Sequence, residues 1–487
     1  MSITASFWIF FIPLSIVISF VSAEYTWPSA QHDALEQFLY EGTHVTGDNV
    51  AGLARFCLPR FLPGGDQPSS VAAEWVRLAY HDMATHNATD GTGGLDGSIF
   101  YELDRPENVG AGNVNTVGDF KDHSSKLVSR SDIIAMGAVW AVAACGGPPI
   151  PFRYGRKDAL KAGRSGVPEP QQNLASHIES FRLQGFTQKE MIGLVACGHT
   201  LGGVRGVDFQ DIVPDPSISS IATFDTTSGL DSAFDHLIVT QYLNSSTQNP
   251  LIRVPSGNST FASDLRIFSS DQNATMKGLN SETSFSQTCT TLLAKMIDTV
   301  PSNVHLSDVV TLLPVKVSNA QITAIDSQLV FMTDLRVAFP AGISPTAASK
   351  VQMFWCDSRG VFKNCNRVTN VASLPFLDEP STSPLTDSLN IQLVLYRFKV
   401  QISASRSVSK FWFEIDGAIH NNGGNGYPIG QDEIIFVPSL GSVDPKFLQP
   451  DPANPSEFLP RNYNLVFGVS VTPLITNEFI LIVIYCR

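Results

Sequence analysis

The sequence predicts two regions of different class: a mostly α-helical domain over 24–300, then an all-β, sandwich-like domain over 301–460, with 461–487 a C-terminal tail or last strand. Helix-period patterning predicts the first region. Val71, Trp75 and Leu78 recur at three to four residues, and Ser131 to Ala144 is a long apolar helical run stopped by Cys145-Gly146-Gly147-Pro148. A change of texture near Pro301 predicts the second. Val/Ile/Phe/Thr-rich runs punctuated by Gly, Pro, Asn and Asp follow, at Gln328–Met332, Lys350–Trp355, Ile391–Tyr396 and Lys410–Ile415.

Ahead of the helical region, residues 1–23 have the pattern of a secretory signal peptide. An apolar stretch is broken by Pro13 and ends in Val21-Ser22-Ala23, a small-residue cleavage site. Sequons at Asn87, Asn244, Asn258 and Asn273 agree with a secreted, glycosylated chain. The apolar fraction of 43% is enough for real cores and excludes wholesale disorder, and a formal charge of -13 argues against nucleic acid as a partner. The apolar end, Phe479 to Tyr485, is too short to span a bilayer, so the chain is not expected to cross a membrane after signal cleavage. Oligomeric state is left open. Seven cysteines in an oxidising compartment imply disulfides with at least one thiol left over, and Cys356 and Cys365 sit close together in a loop-like stretch.

The chain centres on Val71 to Ser98. Ser70 is a fitting N-cap for a helix that carries Arg77 and His81 on one face, four residues apart. A permanent cation one turn from an imidazole suits a cavity in which a proton moves while negative charge develops. Arg77-Leu78-Ala79-Tyr80-His81-Asp82 resembles the distal helix of the plant, fungal and bacterial haem peroxidase superfamily, with Tyr80 standing where that family carries Phe or Trp. The resemblance covers roughly Glu24 to Val300. It implies a haem peroxidase fold there, with His81 as base, Arg77 as stabiliser of the leaving oxygen, and Tyr80 in the cofactor pocket. Gly94-Leu95-Asp96-Gly97-Ser98 resembles the family's distal calcium loop, which implies Asp82, Gly94, Asp96 and Ser98 as ligands. Glu102 and Asn108 match the family's spacing for the Asn that accepts from the distal His. Cys145 resembles a position bridged to a cysteine ahead of the distal helix, for which Cys57 is the candidate. Gly155-Arg156-Lys157-Asp158 resembles the family's G-R-x-D turn and reads as scaffold.

Further on, Thr187 and Glu190 form a capping box, and Phe186 with Met191 a hydrophobic staple, for a helix running into Gly198-His199-Thr200. Ala196 to Gly203 is similar to the proximal motif, which implies His199 as the haem iron ligand. An iron-bound imidazole needs its other nitrogen held by a carboxylate, and Ser263-Asp264 fits the family's S-D motif. Phe224 is expected to pack on the proximal ring. Thr200, Asp225, Thr227 and Asp235 resemble a proximal calcium site, with a longer gap before Asp235 than the family shows. No Trp occurs between Trp140 and Trp355, so the family's proximal Trp radical position is absent. The resemblance as a whole implies a secreted peroxidase with haem b and two calcium ions. Its partners would be hydrogen peroxide and a small, phenol-like electron donor. A non-catalytic haem-binding or adhesion protein, and a catalase-like enzyme, are the alternatives.

Overall fold

The computed structural model describes residues 29–43, 49–60, 69–217, 221–226, 233–325, 328–343, 350–372, 375–379, 382–403 and 405–429, and beyond these the backbone of strands between 434 and 486. The expected signal peptide therefore lies outside the described residues.

Eleven helices are described: α1 (Ala30–Glu41), α2 (Val71–Met83), α3 (Ala111–Phe120), α4 (Arg130–Ala144), α5 (Leu174–Leu183), α6 (Gln188–Gly198), α7 (Leu237–Leu243), α8 (Ser263–Phe268), α9 (Ala274–Gly278), α10 (Glu282–Asp298) and α11 (Pro384–Ser388). The caps lie where the residue types put them. Ser70 Oγ accepts from Ala73 N at 3.3 Å, and the Thr187–Glu190 box closes in both directions at the start of α6. α4 is buried nearly all round, which is why it shows no apolar stripe, and α2 packs along it. Trp140 of α4 donates its indole N–H to the Leu39 carbonyl at 2.9 Å, which fastens α1 to the core.

Two disulfides and one buried ion pair fix the frame around α2 and α6. Cys57 bridges Cys145 as the resemblance implied, and Cys197 of α6 bridges Cys289 of α10, a pairing the sequence left open. Arg156 of the G-R-x-D turn is buried against Asp132 at 2.9 Å and donates to the Ile297 carbonyl at 2.7 Å. That one guanidinium joins α4, the turn and the end of α10.

The β-rich half begins at Val315–Ile325. This strand pairs antiparallel with Gln328–Pro340, which in turn pairs with Ile391–Ile402. On the far side, Ile434–Phe436 lies parallel to Val315–Ile325 and leads to Tyr463–Ser470, against which Phe479–Cys486 pairs. The apolar C-terminal run is thus a strand within an eight-stranded sheet. A five-stranded sheet holds Val351–Cys356 and Lys410–Ile415 as direct neighbours. Alternate residues of the two sheets share one core, in which Phe331 meets Phe411 edge-on at 5.1 Å and Phe398 lies 5.5 Å from Phe413. Cys356 and Cys365 are bridged, and Cys486 on the last strand is the remaining cysteine.

The β-rich half is not free of helix. α11 interrupts it, and Leu385 is buried in the core of the helical half. The Ser383 amide donates to the Tyr40 carbonyl at 3.0 Å, and Arg55 pairs with Asp387 at 2.9 Å. Beside this contact, Lys316 and Arg336 project from the sheet onto α1. Lys316 Nζ lies 2.9 Å from Glu36, and Arg336 bridges Glu36 at 2.5 Å and Glu41 at 2.8 Å, all four side chains being buried or nearly so. Burial alone would raise the Glu36 carboxyl, but Arg336 and Lys316 hold it below its ordinary value.

Candidate active site

A cleft of about 780 Å³ opens between α2 and α6, lined by Arg77, Tyr80 and His81 on one side and by His199, Phe224 and Asp264 on the other. Residues more than a hundred positions apart in sequence thus meet in one cavity.

His81 is 6% exposed, and its Nδ1 lies 2.7 Å from Asn108 Oδ1. The Asn108 amide is oriented by its own donation from Nδ2 to the Glu102 carbonyl at 2.9 Å. An amide oxygen accepts only, so Nδ1 of His81 carries the proton and Nε2 keeps its lone pair. Burial, and then the Arg77 charge, hold the imidazole down to about 3, against a smaller opposing effect of the Asn108 bond. His81 is therefore a neutral base at ordinary pH. Arg77 donates to the Val109 carbonyl at 2.8 Å and stands 5.8 Å over the Phe209 ring. The nearby carboxylates of Glu74 and Asp208 are themselves engaged, by Arg60 at 3.1 Å and Arg205 at 3.6 Å.

Tyr80 lines the cleft and stacks on Phe181 at 5.8 Å. Its hydroxyl donates to Gln184 Oε1 at 3.3 Å, and burial pushes the phenol well above its ordinary value.

Across the cleft, α6 ends at His199, whose Nδ1 lies 2.8 Å from Asp264 Oδ2. Phe224 stacks on the imidazole with ring centroids 4.3 Å apart and planes within 8°. Although Asp264 is 1% exposed, His199 keeps 33% of its side chain open towards the cleft. A histidine fixed through one nitrogen, with its free edge in a cavity, is a fit for a metal centre held in that cavity.

Below α2, the Asp82 carboxylate is fully buried and accepts from Gly97 N at 2.7 Å and Ile99 N at 2.9 Å. Burial, and then the Asp96 charge, push it well above its ordinary value. Ser98 Oγ is buried beside the Asp96 and Glu102 carboxylates, and the Gly94 carbonyl turns towards Thr85 Oγ1 at 3.4 Å. Two carboxylates crowded together with a buried hydroxyl beside them suit a hard cation. Among the described residues no three His, Cys, Asp or Glu side chains form a metal cluster, so such a site would depend on hydroxyl and carbonyl oxygens. On the other side, Thr200 Oγ1 donates to the Asp235 carbonyl at 2.7 Å, Asp225 is buried, and its charge reaches Asp235. Thr227, the fourth expected ligand, lies outside the described residues.

Sequence reasoning missed two participants. Asn249 Nδ2 donates to Asp264 Oδ2 at 2.8 Å, sharing the oxygen that His199 uses, and no sequence signal marks it. His177 is 1% exposed on the cleft wall, its Nε2 3.0 Å from the Glu169 carbonyl. The spacing of His177 and Phe181 along one face of α5, continued by its C-cap Gln184, could have found it.

Helices bearing two histidines across one cleft, one held by an amide and one by a buried carboxylate, make a site whose donors suit a metal-centred redox group. Residues 65–281 match the peroxidase family, which makes that stretch a peroxidase domain. It is 36% identical to a WSC domain-containing protein of Arthroderma benhamiae over 71% of this chain and 48% of that one. That alignment is too long to fit within residues 1–281, so it runs into the β-rich half. The chain is also 38% identical to a putative L-ascorbate peroxidase 6 of Arabidopsis thaliana over 27% of this chain and 41% of that one. A lignin-forming anionic peroxidase of Nicotiana tabacum is 33% identical over 29% and 45%. The chain spans less than half the length of each of these relatives.

Proposed function

We propose that the chain is a secreted haem peroxidase that reduces hydrogen peroxide and oxidises a small, phenol-like donor. The single observation that carries the reading is the opposition of His81–Asn108 to His199–Asp264 across one cleft. The family match supports it. The domain limits that go with this reading are 24–300 for the peroxidase domain and 301–460 for the sandwich-like domain.

Haem b, when bound between His81 and His199, supplies an iron that exchanges electrons with peroxide and donor. The protein's own residues do the rest. His199 would hold the metal, and Asp264, itself held by Asn249, keeps the His199 ring oriented and would give it imidazolate character. The Nε2 lone pair of His81 takes a proton from one peroxide oxygen and returns it to the other, so that the departing oxygen leaves as water. Asn108 keeps Nδ1 protonated throughout. Arg77 stabilises the negative charge that develops on the leaving oxygen. Asp82, Gly94, Asp96 and Ser98 would hold a distal calcium, and Thr200, Asp225, Thr227 and Asp235 a proximal one, bracing the ends of α2 and α6.

The test is the absorption spectrum of the purified haem-loaded chain before and after one equivalent of peroxide. A shifted haem band that returns on adding phenol is expected, and no shift would overturn the reading. His199→Ala should abolish stable haem binding, whereas His86→Ala should not.

A further inference from the structure

The mouth of the cleft bears on the charge of the reductant. It is formed by the loop after His81's partner Asn108, by Val167–Gln171, and by Arg205–Ile212. Its seat is apolar, with Val109, Pro168, Pro170, Phe209 and Ile212 facing the cavity. Its charge is one-sided. Six carboxylates line the cleft against two guanidinium groups and no lysine, so the balance is acidic.

The pairings sharpen this. Asp264 is committed to His199, Glu74 to Arg60 and Asp208 to Arg205, while Glu107 has Arg105 at 4.0 Å and the Gly166 amide at 3.3 Å. Glu169 and Asp211 remain. Among the described residues neither has a cation within ion-pair distance; the Glu169 carboxylate accepts from the neutral Gln171 amide at 3.0 Å, and Asp211 is exposed. Both cations are engaged: Arg77 is held by the Val109 carbonyl at 2.8 Å, and Arg205 is 8% exposed beside Asp208. Arg266 donates to the Pro170 and Gln172 carbonyls beside Glu169 without pairing with its carboxylate, so a donor arriving at the apolar seat meets two carboxylates that no cation holds in an ion pair. Like charge at a low-dielectric mouth repels an anion and concentrates a cation, with effects on encounter of about 10–10³-fold.

We propose that this cleft selects its reductant by charge, taking uncharged and cationic aromatic donors and rejecting anionic ones, with Glu169 and Asp211 as the selecting residues. The proposal rests on the peroxidase reading and narrows its substrate class. The overall step is H2O2 + 2 ArOH → 2 H2O + 2 ArO•, in which each phenol gives up one electron and one proton and both end in water. A ring bearing an ammonium tail meets the mouth favourably, whereas the same ring bearing a carboxylate does not.

The experiment compares tyramine, p-cresol and 4-hydroxyphenylacetate, which share the phenol ring and differ in tail charge. Values of kcat/KM are measured at low and high salt, and donor Kd by calorimetry on the resting protein. At low salt the tyramine to 4-hydroxyphenylacetate ratio should be roughly tenfold or more in both measurements, and salt should shrink it. The double variant Glu169→Gln/Asp211→Asn should bring the ratio towards one, while Glu169→Asp/Asp211→Glu, which keeps the charges, should preserve it. A wild-type ratio of one or below, or a ratio retained in the neutralised variant, overturns the proposal. If peroxide leaves the haem spectrum unchanged, the peroxidase reading fails instead, and the calorimetric ratio still decides the charge rule.

Discussion

Charge is buried in two places in this molecule, and the two are built differently. At the contact between α1 and the long strands, Glu36, Glu41, Lys316 and Arg336 are buried against one another, and opposite charges meet at 2.5 to 2.9 Å. In the cleft, a half-buried Arg77 and a buried His81 stand one turn apart with like-signed tendencies, and the nearby carboxylates already serve other cations. Desolvation costs are met by partners at the junction and left standing in the cleft. The first arrangement fastens two halves of a chain together. The second keeps a base neutral and a cation available for charge that appears only during a reaction.

Removing one member from each cluster should therefore have opposite signatures. His81→Ala should slow the reaction with peroxide by about 10⁴-fold, the upper end for one acid–base residue, with little change in melting temperature. Stopped-flow mixing with peroxide checks this, and a wild-type rate would remove His81 from the mechanism. Glu36→Gln should leave that rate near normal but lower stability by about 3–5 kcal/mol, because Lys316 and Arg336 lose their shared partner in a buried site. Denaturant unfolding followed in both halves should show one transition. Replacing Glu36, Lys316 and Arg336 together with Met and Leu should recover most of the loss, and failure to recover would mean the charges do more than fasten.

Arg77→Ala comes next. It removes charge stabilisation but leaves proton transfer, so about 10²–10³-fold is expected, and combining it with His81→Ala should be less than additive because both act on one bond cleavage. Chelation of calcium should cost less again. A site filled to a hundred times its Kd contributes about 2.7 kcal/mol, and its loss should appear as a lower melting temperature followed by slow loss of activity. Unchanged melting after exhaustive chelation would count against both calcium sites.

The smallest effect expected is that of pH on the peroxide step. Because the folded imidazole of His81 is held down to about 3, it stays a base as pH falls from neutral, and the rate should remain flat to about pH 4. The sign for stability is the reverse of a stabilising pair. The unfolded His binds its proton near 6.5 and the folded one does not, so acid favours unfolding from about pH 6.5 down to 3. A rate that falls with an apparent pKa near 6 would show that the imidazole is less shielded than its burial requires.

Much of this was legible in the chain itself, wherever the determining interactions are local. The Ser70 and Thr187 caps, the shared face of Arg77 and His81, and the strands at Lys410–Ile415 and Ile391–Tyr396 follow from neighbours within a turn or an alternation of side chains, although the second strand runs on to Ile402. The pairing of His199 with Asp264 could be anticipated only because a short motif resembles a known family, since 65 residues separate them. Tertiary structure decided what depends on distant groups converging. Asn249 beside Asp264, the Cys197–Cys289 bridge, and α11 seated in the helical core leave no mark in their own surroundings. Nor do Lys316 and Arg336, which as sequence are ordinary charges on strands and become a buried clasp only when α1 brings Glu36 and Glu41 to them. Local patterning reports which face of an element is buried. It carries no record of what will bury it, because burial energy depends on area removed from water while pairing of buried charge depends on which partner arrives.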